Sequence, residues 1–246
     1  MKDYTTPRGS RIVILLALLL AMSSGSAWAQ ALSGITFAGK PNTLFVGVRK
    51  VTDVLGWSVH WEQAGQTLYI NDRSVTSAGT VRRLPDGTAL LAVSALRYLG
   101  GEVVWDATSG TVTIKSGGRS LQVTRGAKRV EVDCTTQRLR AWQGDTLLLE
   151  TAVSTGRSGS RTPTGEFTAG PYKSRMHYSG LYNDAPMPYS VQVNGNVFIH
   201  GFGSVPRYPA SHGCIRVPLN AGNPARWFYE WVDRRTPIRI KGRWQG

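Results

Sequence analysis

Cysteine and acidic residues are both scarce in this 246-residue chain. It contains two cysteines, Cys134 and Cys214, and 15 Asp and Glu residues against 29 Lys and Arg residues, which gives a formal charge of +14. Two cysteines allow one disulfide at most. We favour two free thiols, because Val130, Val132 and Cys134 alternate with acidic residues and predict a half-buried strand that hides Cys134 as an inert apolar residue.

Long apolar runs are absent after the first thirty residues. The one such run, at 12–22, is short for a membrane span, which needs about 20 residues. Basic residues precede it and an Ala-x-Ala site at 27–29 follows it. This order predicts a secretory signal peptide over residues 1–29, with an uncleaved N-terminal anchor as the alternative. The signal peptide and the uncleaved anchor both predict that the body of the protein lies outside the cytosol, in the periplasm or cell envelope.

The basic balance persists without the signal segment. Residues 1–29 hold three basic residues and one acidic residue, so +14 becomes +12 (14 − 3 + 1). A charge this far from zero favours anionic partners. Compact Lys/Arg runs with interleaved aromatics, which mark nucleic-acid binders, are missing. We therefore predict association with the cell wall or a membrane surface and not with nucleic acid; a generally basic surface without a specific anion site is the alternative.

An internal repeat occupies the first half of the chain. Segments 55–70 and 99–114 align at an offset of 44 without a gap, and they share Leu-Gly, Val, Trp, an acidic residue, Thr and Ile. Each copy predicts a short helix that ends at Leu-Gly, followed by a strand, a polar turn and a second strand. The helices are predicted at 48–55 and 92–99. The pattern predicts a small α+β repeat domain over residues 30–117.

This repeat resembles the N-terminal domain first described on copper amine oxidases and found on many cell-wall enzymes. The resemblance implies a small domain that positions or anchors its neighbour. The family name does not imply copper here. His60 is the only histidine in residues 30–117, and this region has no cysteine, so we predict no metal site in it.

The second half of the chain predicts a different, mainly β domain. The polar stretch at 116–120 predicts a flexible break, which places a boundary between residues 117 and 118. Residues 118–246 then predict short strands separated by turns, one late helix at 224–233 and a closing strand at 237–241. This pattern is typical of a mostly antiparallel sandwich or barrel with one helix. The other predicted strands are 130–134, 138–142, 146–153, 166–169, 189–193 and 197–200.

The candidate chemistry centres on Cys214, which lies in the sequence Ser-His-Gly-Cys-Ile-Arg at 211–216. The nucleophilic form of cysteine is the thiolate, so a base or a positive neighbour must lower its pKa from about 8.5. We expect an electropositive neighbourhood to keep this sulfur ionised. His212 lies two residues away, on the same side of an extended segment. His200 ends a predicted strand, and the Gly- and Pro-rich loop at 201–210 can return Cys214 to it.

No Asp or Glu lies between Asp184 and Glu230, so a nearby carboxylate is not available to orient the base. The carbonyl of Gly201 is the candidate for that role. Gly213 lets the backbone approach a substrate closely, and the amides of Gly213 and Cys214 are candidate oxyanion donors. Residues of these types indicate a cysteine acyltransferase or hydrolase.

A zinc site is the alternative for the same residues. His200, His212 and Cys214 could supply three ligands. A nearby carboxylate or a fourth His or Cys is missing from this part of the sequence. We therefore favour thiol chemistry, and we predict neither a metal nor a cofactor.

Segments 198–201 and 211–216 together resemble the active-site signature of L,D-transpeptidases, in which a His-Gly at a strand end precedes Ser/Thr-His-Gly-Cys-x-Arg/Asn. Segment 154–167 resembles the S-T-G…T-P-x-G-x-F segment of that family, and segment 187–189 resembles its M-P-Y element. The resemblance spans about residues 128–242. It implies the β-sandwich or barrel of that family with one helix.

The resemblance also implies residue roles. Cys214 attacks, His200 is the base, the Gly201 carbonyl orients it, and His212 and Gly213 shape the oxyanion region. The implied substrate-binding residues are Met187, Tyr189 in the donor cleft, Ser211, and Arg216 as a support or carboxylate ligand.

The reaction implied by the resemblance is acyl transfer on peptidoglycan stem peptides. The sulfur attacks the bond between residue 3 and the terminal D-Ala of a tetrapeptide stem, D-Ala leaves, and the amine of another stem resolves the thioester as a 3→3 cross-link. Two alternatives stay open at this point. One is an L,D-carboxypeptidase, in which water resolves the thioester, and the other is a catalytically silent wall-binding protein. The sequence does not specify stem residue 3, the acceptor amine, the ligand of the repeat domain or the oligomeric state.

Overall fold

The computed structural model describes residues 30–75 and 79–243. The predicted signal peptide at 1–29 lies outside these residues. Within them, no helix has the length and apolar character needed to cross a membrane. The described residues form nineteen β-strands, two α-helices and one 3-10 helix.

The first part of the described chain forms two sheets. A seven-stranded sheet has the order β6-β7-β2-β1-β10-β9-β8, and a three-stranded sheet has the order β3-β4-β5. The elements are β1 Gln30–Phe37, β2 Lys40–Gly47, α1 Val48–Leu55, β3 Val59–Glu62, β4 Thr67–Ile70, β5 Arg73–Val75, β6 Val81–Arg83, β7 Ala89–Ala92, the 3-10 helix Val93–Arg97, β8 Glu102–Asp106, β9 Thr111–Ser116 and β10 Arg119–Arg125.

The structure reproduces the internal repeat. Val59 pairs with Ile70 in the β3–β4 hairpin, and Val103 pairs with Ile114 in the β8–β9 hairpin, 44 residues later. Helix α1 begins and ends where the sequence predicts. It stops because Gly56 adopts a left-handed conformation, with φ 69°. The second predicted helix, at 92–99, is instead the five-residue 3-10 helix Val93–Arg97.

The two copies of the repeat bury equivalent apolar residues in one core. Leu55 and its counterpart Leu99 are buried, and so are Ile70 and Ile114. Because each copy offers only part of an apolar face, packing the copies against each other removes both faces from water.

The predicted break at 116–120 is a tight turn and not a flexible linker. Gly117 and Gly118 have φ values of 54° and 76° and connect β9 to β10 as a hairpin. Strand β10 also pairs in parallel with β1, and its Leu121 and Val123 are fully buried in the core of the repeat. Residues 119–125 therefore belong to the seven-stranded sheet, so the predicted boundary between residues 117 and 118 falls within that sheet.

The second part of the described chain forms two further sheets and one α-helix. A five-stranded sheet has the order β13-β12-β11-β19-β14, and a four-stranded sheet has the order β15-β16-β17-β18. The elements are β11 Lys128–Asp133, β12 Arg138–Gln143, β13 Thr146–Ala152, β14 Gly165–Thr168, β15 Lys173–Ser179, β16 Ala185–Asn194, β17 Val197–Phe202, β18 Ile215–Pro218, α2 Pro224–Trp231 and β19 Pro237–Lys241.

The predicted fold class is confirmed: a small α+β part precedes a mainly β part with one α-helix. Helix α2 begins as predicted, with the Asn223 side chain accepting a hydrogen bond from the Arg226 amide. It ends at Trp231, two residues before the predicted end. Strand β15 was not predicted, because its sequence Lys-Ser-Arg-Met-His-Tyr-Ser is largely polar and lacks the apolar alternation of a strand.

One hydrophobic core joins the two parts of the chain. Phe37 of β1 meets Trp227 of α2 edge to face, with ring centroids 6.1 Å apart. Gln143 of β12 is fully buried, and its Oε1 accepts hydrogen bonds from the Thr36 amide and from Nε1 of Trp231, each at 3.1 Å. The repeat thus contributes directly to the packing of the β part that carries Cys214.

Candidate active site

The pairing of β17 with β18 places two of the predicted site residues on one face. These strands are parallel, with Ile199 opposite Ile215 and His200 opposite Arg216. Ile199 and Ile215 belong to the core. Because side chains alternate along a strand, His200 and Arg216 lie on the opposite face. Cys214 lies in the bend directly before β18, next in sequence to the residue that pairs with Ile199.

His200 is buried, and its neighbours fix its tautomer. Its Nδ1 lies 3.0 Å from the carbonyl oxygen of Gly201. A carbonyl oxygen only accepts, so Nδ1 carries the proton and Nε2 is the free acceptor. The His200 pKa is lowered to about 4, mainly by burial. The Gly201 hydrogen bond raises it, and the charges of Arg216 and His177 lower it further. At neutral pH the ring is an uncharged proton acceptor.

Cys214 is a free, partly buried thiol, and its Sγ lies 3.6 Å from the carbonyl oxygen of Asn196. Burial raises the pKa of the thiol, while a backbone hydrogen bond with Phe198 and the charge of Arg216 act in the opposite direction. The resting sulfur is therefore protonated at neutral pH. This differs from the expected permanent thiolate, because desolvation outweighs the positive neighbour.

The turn before Cys214 is held by two hydroxyl groups. Ser211 Oγ donates to the Cys214 carbonyl at 2.5 Å and accepts from the Gly213 amide at 3.1 Å. Thr162 Oγ1 donates to the Gly213 carbonyl at 2.7 Å and accepts from the Gly156 amide at 2.8 Å. Gly213 has φ 116°, a conformation that side chains with a Cβ rarely adopt.

These bonds change the expectation for two residues. Ser211 is buried and its hydroxyl is engaged within the turn, so its contacts are those of a support for Cys214 and not of a substrate ligand. The amide of Gly213 already donates to Ser211. Of the two candidate oxyanion donors, the Cys214 amide is therefore the better one.

The segment at 154–157 forms a support beside β18. Ser154 and Arg216 exchange backbone hydrogen bonds at 3.1 and 3.0 Å, and the Arg157 amide donates to the Ser211 carbonyl at 2.9 Å. A Cβ on Gly156 would lie 2.0 Å from the Ser160 carbonyl oxygen, so this position has no room for a side chain. The S-T-G sequence thus has a physical role in holding the cysteine turn.

His212 lies at the exposed rim of this site. Its Nε2 is 2.7 Å from Nη2 of Arg157, and its ring lies on that of Tyr182 with centroids 4.6 Å apart. Desolvation and the charges of Arg157 and Arg216 lower its pKa. A guanidinium only donates, so Nε2 accepts and the neutral His212 ring carries its proton on Nδ1. Its bonding partner is Arg157, which leaves His200 as the better candidate for the base.

The described contacts of Met187 and Tyr189 are on the core side. Met187 is buried, and its carbonyl accepts a hydrogen bond from Ser190 Oγ at 2.8 Å. Tyr189 has φ 57° within β16 and packs against Tyr229 of α2, with centroids 6.0 Å apart. Their predicted role in the donor cleft stays a prediction.

Two residues near the site were missed by sequence reasoning. His177 of β15 stacks on Phe198 with centroids 5.0 Å apart, and its Nδ1 lies 3.1 Å from the Tyr172 hydroxyl. No periodic pattern marks β15, so no sequence signal pointed to His177. Arg157 follows the S-T-G segment directly, and that adjacency was a usable signal.

The structure also bears on metal binding and on cavities. Among residues 30–75 and 79–243, no three His, Cys, Asp or Glu side chains form a group able to hold a metal ion, and this includes the three ligands of the alternative zinc site. A groove of about 1140 Å³ lies between the repeat and the turn after β12, and Trp61, Arg83 and Leu147 line it. Neither Cys214 nor His200 is among its lining residues.

The fold and the site together give a mainly β domain that carries a partly buried free thiol, Cys214, and a buried imidazole, His200. Residues 127–240 match the family model YkuD, described as the L,D-transpeptidase catalytic domain. The match covers a little under half of the chain and assigns that domain to this stretch. No match was found among curated proteins. The resemblance of residues 30–117 to the copper amine oxidase domain stays a prediction.

Several solved structures are similar to this chain. An L,D-transpeptidase (Yku) from Stackebrandtia nassauensis is 25% identical, with 49% of this chain and 58% of that chain covered and a TM-score of 0.44. An L,D-transpeptidase from Xylanimonas cellulosilytica is 27% identical, with 47% and 61% covered and a TM-score of 0.41. One from Mycobacterium smegmatis is 18% identical, with 88% and 96% covered and a TM-score of 0.44. The alignment thus spans less than two thirds of the first two structures.

Proposed function

We propose that this protein is an exported peptidoglycan L,D-transpeptidase that forms 3→3 cross-links through a thioester on Cys214. The observation that carries the proposal is the position of Cys214 directly before β18, which pairs with the strand that carries His200, with His200 Nε2 left as the acceptor by the Gly201 hydrogen bond. The match of residues 127–240 to the L,D-transpeptidase catalytic domain supports the substrate class.

The resting pair is uncharged, and this determines the order of proton transfer. The pKa of His200 is lowered to about 4, and burial raises the pKa of the Cys214 thiol. Both shifts disfavour a thiolate and an imidazolium at rest. The sulfur therefore loses its proton to His200 Nε2 as it attacks the carbonyl carbon of stem residue 3.

The buried imidazolium then acts as an acid. Its low pKa makes it a strong proton donor, so Nε2 passes the proton to the nitrogen of the departing D-Ala as the C–N bond breaks. The product is a thioester between Cys214 and residue 3. In the second half, an amine of another stem attacks the thioester carbonyl, Nε2 takes the amine proton, and that proton returns to sulfur as the C–S bond breaks. The Cys214 amide is the candidate donor to the oxyanion in both halves.

Intact mass spectrometry with a synthetic tetrapeptide stem tests this proposal. Wild-type protein is expected to gain the mass of the acylating tripeptide and release D-Ala, while Cys214→Ala gains none. Cys134→Ala is the matched control, because Cys134 is a buried core residue, and it is expected to form the adduct. An adduct that survives Cys214→Ala would refute the assignment of the nucleophile.

Adding an amine acceptor distinguishes the nearest alternative. A transpeptidase yields a linked dimer of stems, whereas an L,D-carboxypeptidase yields only the tripeptide and D-Ala. Export is tested separately, by locating the chain in fractionated cells and sequencing its N-terminus. A mature chain that begins after Ala29 would support the signal peptide, and an intact chain in the cytosol would refute export.

A further inference from the structure

Two arginine side chains flank the turn that carries Cys214. Arg157 is anchored to this turn twice, through its amide on the Ser211 carbonyl at 2.9 Å and through Nη2 on His212 at 2.7 Å. Arg216 lies two residues after Cys214 on β18, and its guanidinium carbon lies 4.1 Å from the centre of the Phe202 ring. Both cations are therefore held by the elements that hold the sulfur.

Neither guanidinium has an acidic partner among the described residues. All the ion pairs found there, such as Arg140 with Glu150 and Arg239 with Glu166, involve other cations. Burial lowers the pKa of Arg216, Cys214 acts in the opposite direction and the charge of Arg157 lowers the pKa further, so both Cys214 and Arg157 lie near this guanidinium. Two adjacent cations without a counter-charge favour the binding of an anion.

The chemistry of the proposed donor identifies which anion lies within reach. In a peptide that is cleaved at its last bond, the carboxylate carbon of the leaving residue is three bonds from the attacked carbonyl carbon, at most about 4 Å away. The sulfur of Cys214 must contact that carbonyl carbon, so the carboxylate enters the space beside Cys214. Arginine presents a planar set of donors that matches a carboxylate.

We propose that Arg157 and Arg216 bind the terminal carboxylate of the leaving residue, and that Arg157 determines the specificity for donors with a free carboxyl terminus. This inference rests on the proposed function and adds a specificity residue to it. His212 is the positioning residue for Arg157, because it holds the guanidinium through Nε2 without adding a second charge. Tyr182 in turn supports His212, because its ring packs against the imidazole at an interplanar angle of 33°.

The test uses a synthetic tetrapeptide stem whose residue 3 is chosen to carry a side-chain carboxylate. Three donors are compared: this stem with a free terminal carboxylate, the same stem with a terminal carboxamide, and the same stem with its residue-3 side-chain carboxylate amidated. For each donor, kcat/KM is measured from the release of the last residue. The proteins are wild type, Arg157→Gln, Arg157→Lys and the control Arg239→Gln. Arg239 is an exposed residue on β19 paired with Glu166, so its substitution keeps the change of charge but leaves the site intact.

We expect wild type to prefer the free carboxylate over the terminal carboxamide by roughly 10- to 100-fold, the factor typical of a charge-assisted hydrogen bond. Arg157→Gln should reduce that ratio about tenfold by slowing the free acid, while the carboxamide donor stays within about twofold. Arg157→Lys should give an intermediate ratio, because lysine keeps the charge without the paired donors. Arg239→Gln should behave as wild type.

Three results would overturn the inference while thioester formation on Cys214 still stands. The first is an equal kcat/KM of the wild-type protein for the free acid and the terminal carboxamide. The second is an equal loss of kcat/KM on both of these donors in Arg157→Gln. The third is a wild-type protein whose kcat/KM falls only with the donor amidated on the side chain of residue 3. If Arg157→Gln does not fold, an unchanged ratio in Arg157→Lys has the same meaning. Failure of wild type to react with any donor would refute both the inference and the proposed function.

Discussion

Thr162 offers a direct way to test how the cysteine turn is held. Its buried hydroxyl donates to the Gly213 carbonyl at 2.7 Å and accepts from the Gly156 amide at 2.8 Å. Thr162→Val keeps the shape of the side chain and removes both bonds. The loss of a buried hydrogen-bond partner costs about 1–3 kcal/mol for each group that it served. We therefore expect the free energy of unfolding to fall by about 3 kcal/mol.

Thermal unfolding and single-turnover acylation measure this prediction together. For a chain of this size, 1 kcal/mol corresponds to roughly 2–4 °C, so the Tm should fall by about 6–12 °C. Acylation of Cys214 should slow by at least about tenfold, because the turn carries the sulfur and a small displacement of a reacting group is costly. Thr162→Ser is the control. It keeps the hydroxyl and should retain most of the rate, with only the small cost of a lost methyl group.

Both measurements are needed to interpret the outcome. A variant with lowered Tm and full acylation at low temperature would show that the two bonds stabilise the fold without placing the sulfur. A Thr162→Val protein within about 0.5 kcal/mol of wild type and with unchanged acylation would refute the reasoning altogether, because the two bonds would then contribute nothing.

The remaining predictions concern protonation, packing and thiol access. The His200 pKa is about 4 in the folded state and ordinarily 6.5, so the unfolded state binds the proton first as pH falls. The free energy of unfolding should therefore decrease by about 3 kcal/mol between pH 6.5 and 4. Urea unfolding of His200→Gln should lack this pH-dependent decrease. Gln143→Leu should lower stability in urea by about 3 kcal/mol, since the Thr36 amide and the indole of α2 lose their acceptor, and an unchanged midpoint would contradict this. Iodoacetamide should alkylate Cys214 in the native protein, more slowly than a free cysteine peptide, and should spare Cys134; equal labelling of both thiols would show that the burial argument is wrong.

The parts of the fold that the sequence predicts well are those in which local pattern and burial agree. The 44-residue repeat places Leu55 and Leu99 in one core, and helix α1 ends at Gly56 as the Leu-Gly signal indicates. Strand β15 was not predicted, because its side chains are mostly polar and its pairing with β16 is set by tertiary contacts. The hairpin at Gly117 and Gly118 was not predicted, because in a sequence a glycine pair indicates a tight turn and a flexible linker equally well.

The candidate site shows the same division. The motif at 211–216 and the histidine at 200 identify the residues of the proposed reactive pair, and parallel pairing of β17 with β18 places His200 opposite Arg216, two residues after Cys214. Their protonation states depend on burial and on which atoms each hydrogen bond uses, and neither is written in the sequence. The same applies to the Gly213 amide, which the motif offers as an oxyanion donor but which Ser211 already occupies.

On the proposed function, a neutral resting pair has a chemical consequence. The thiolate is the form of cysteine that attacks disulfides and is oxidised, and both reactions depend on how much thiolate is present and how accessible it is. Burial raises the pKa of Cys214 and lowers that of His200, so at neutral pH the thiolate fraction at rest is small. On the proposed mechanism, proton transfer becomes favourable only together with attack on a bound carbonyl group, and the Cys214 amide is the candidate donor to its developing charge. On the proposed function, the burial that slows the free thiol is thus also what restricts its reactivity to substrate held in the site.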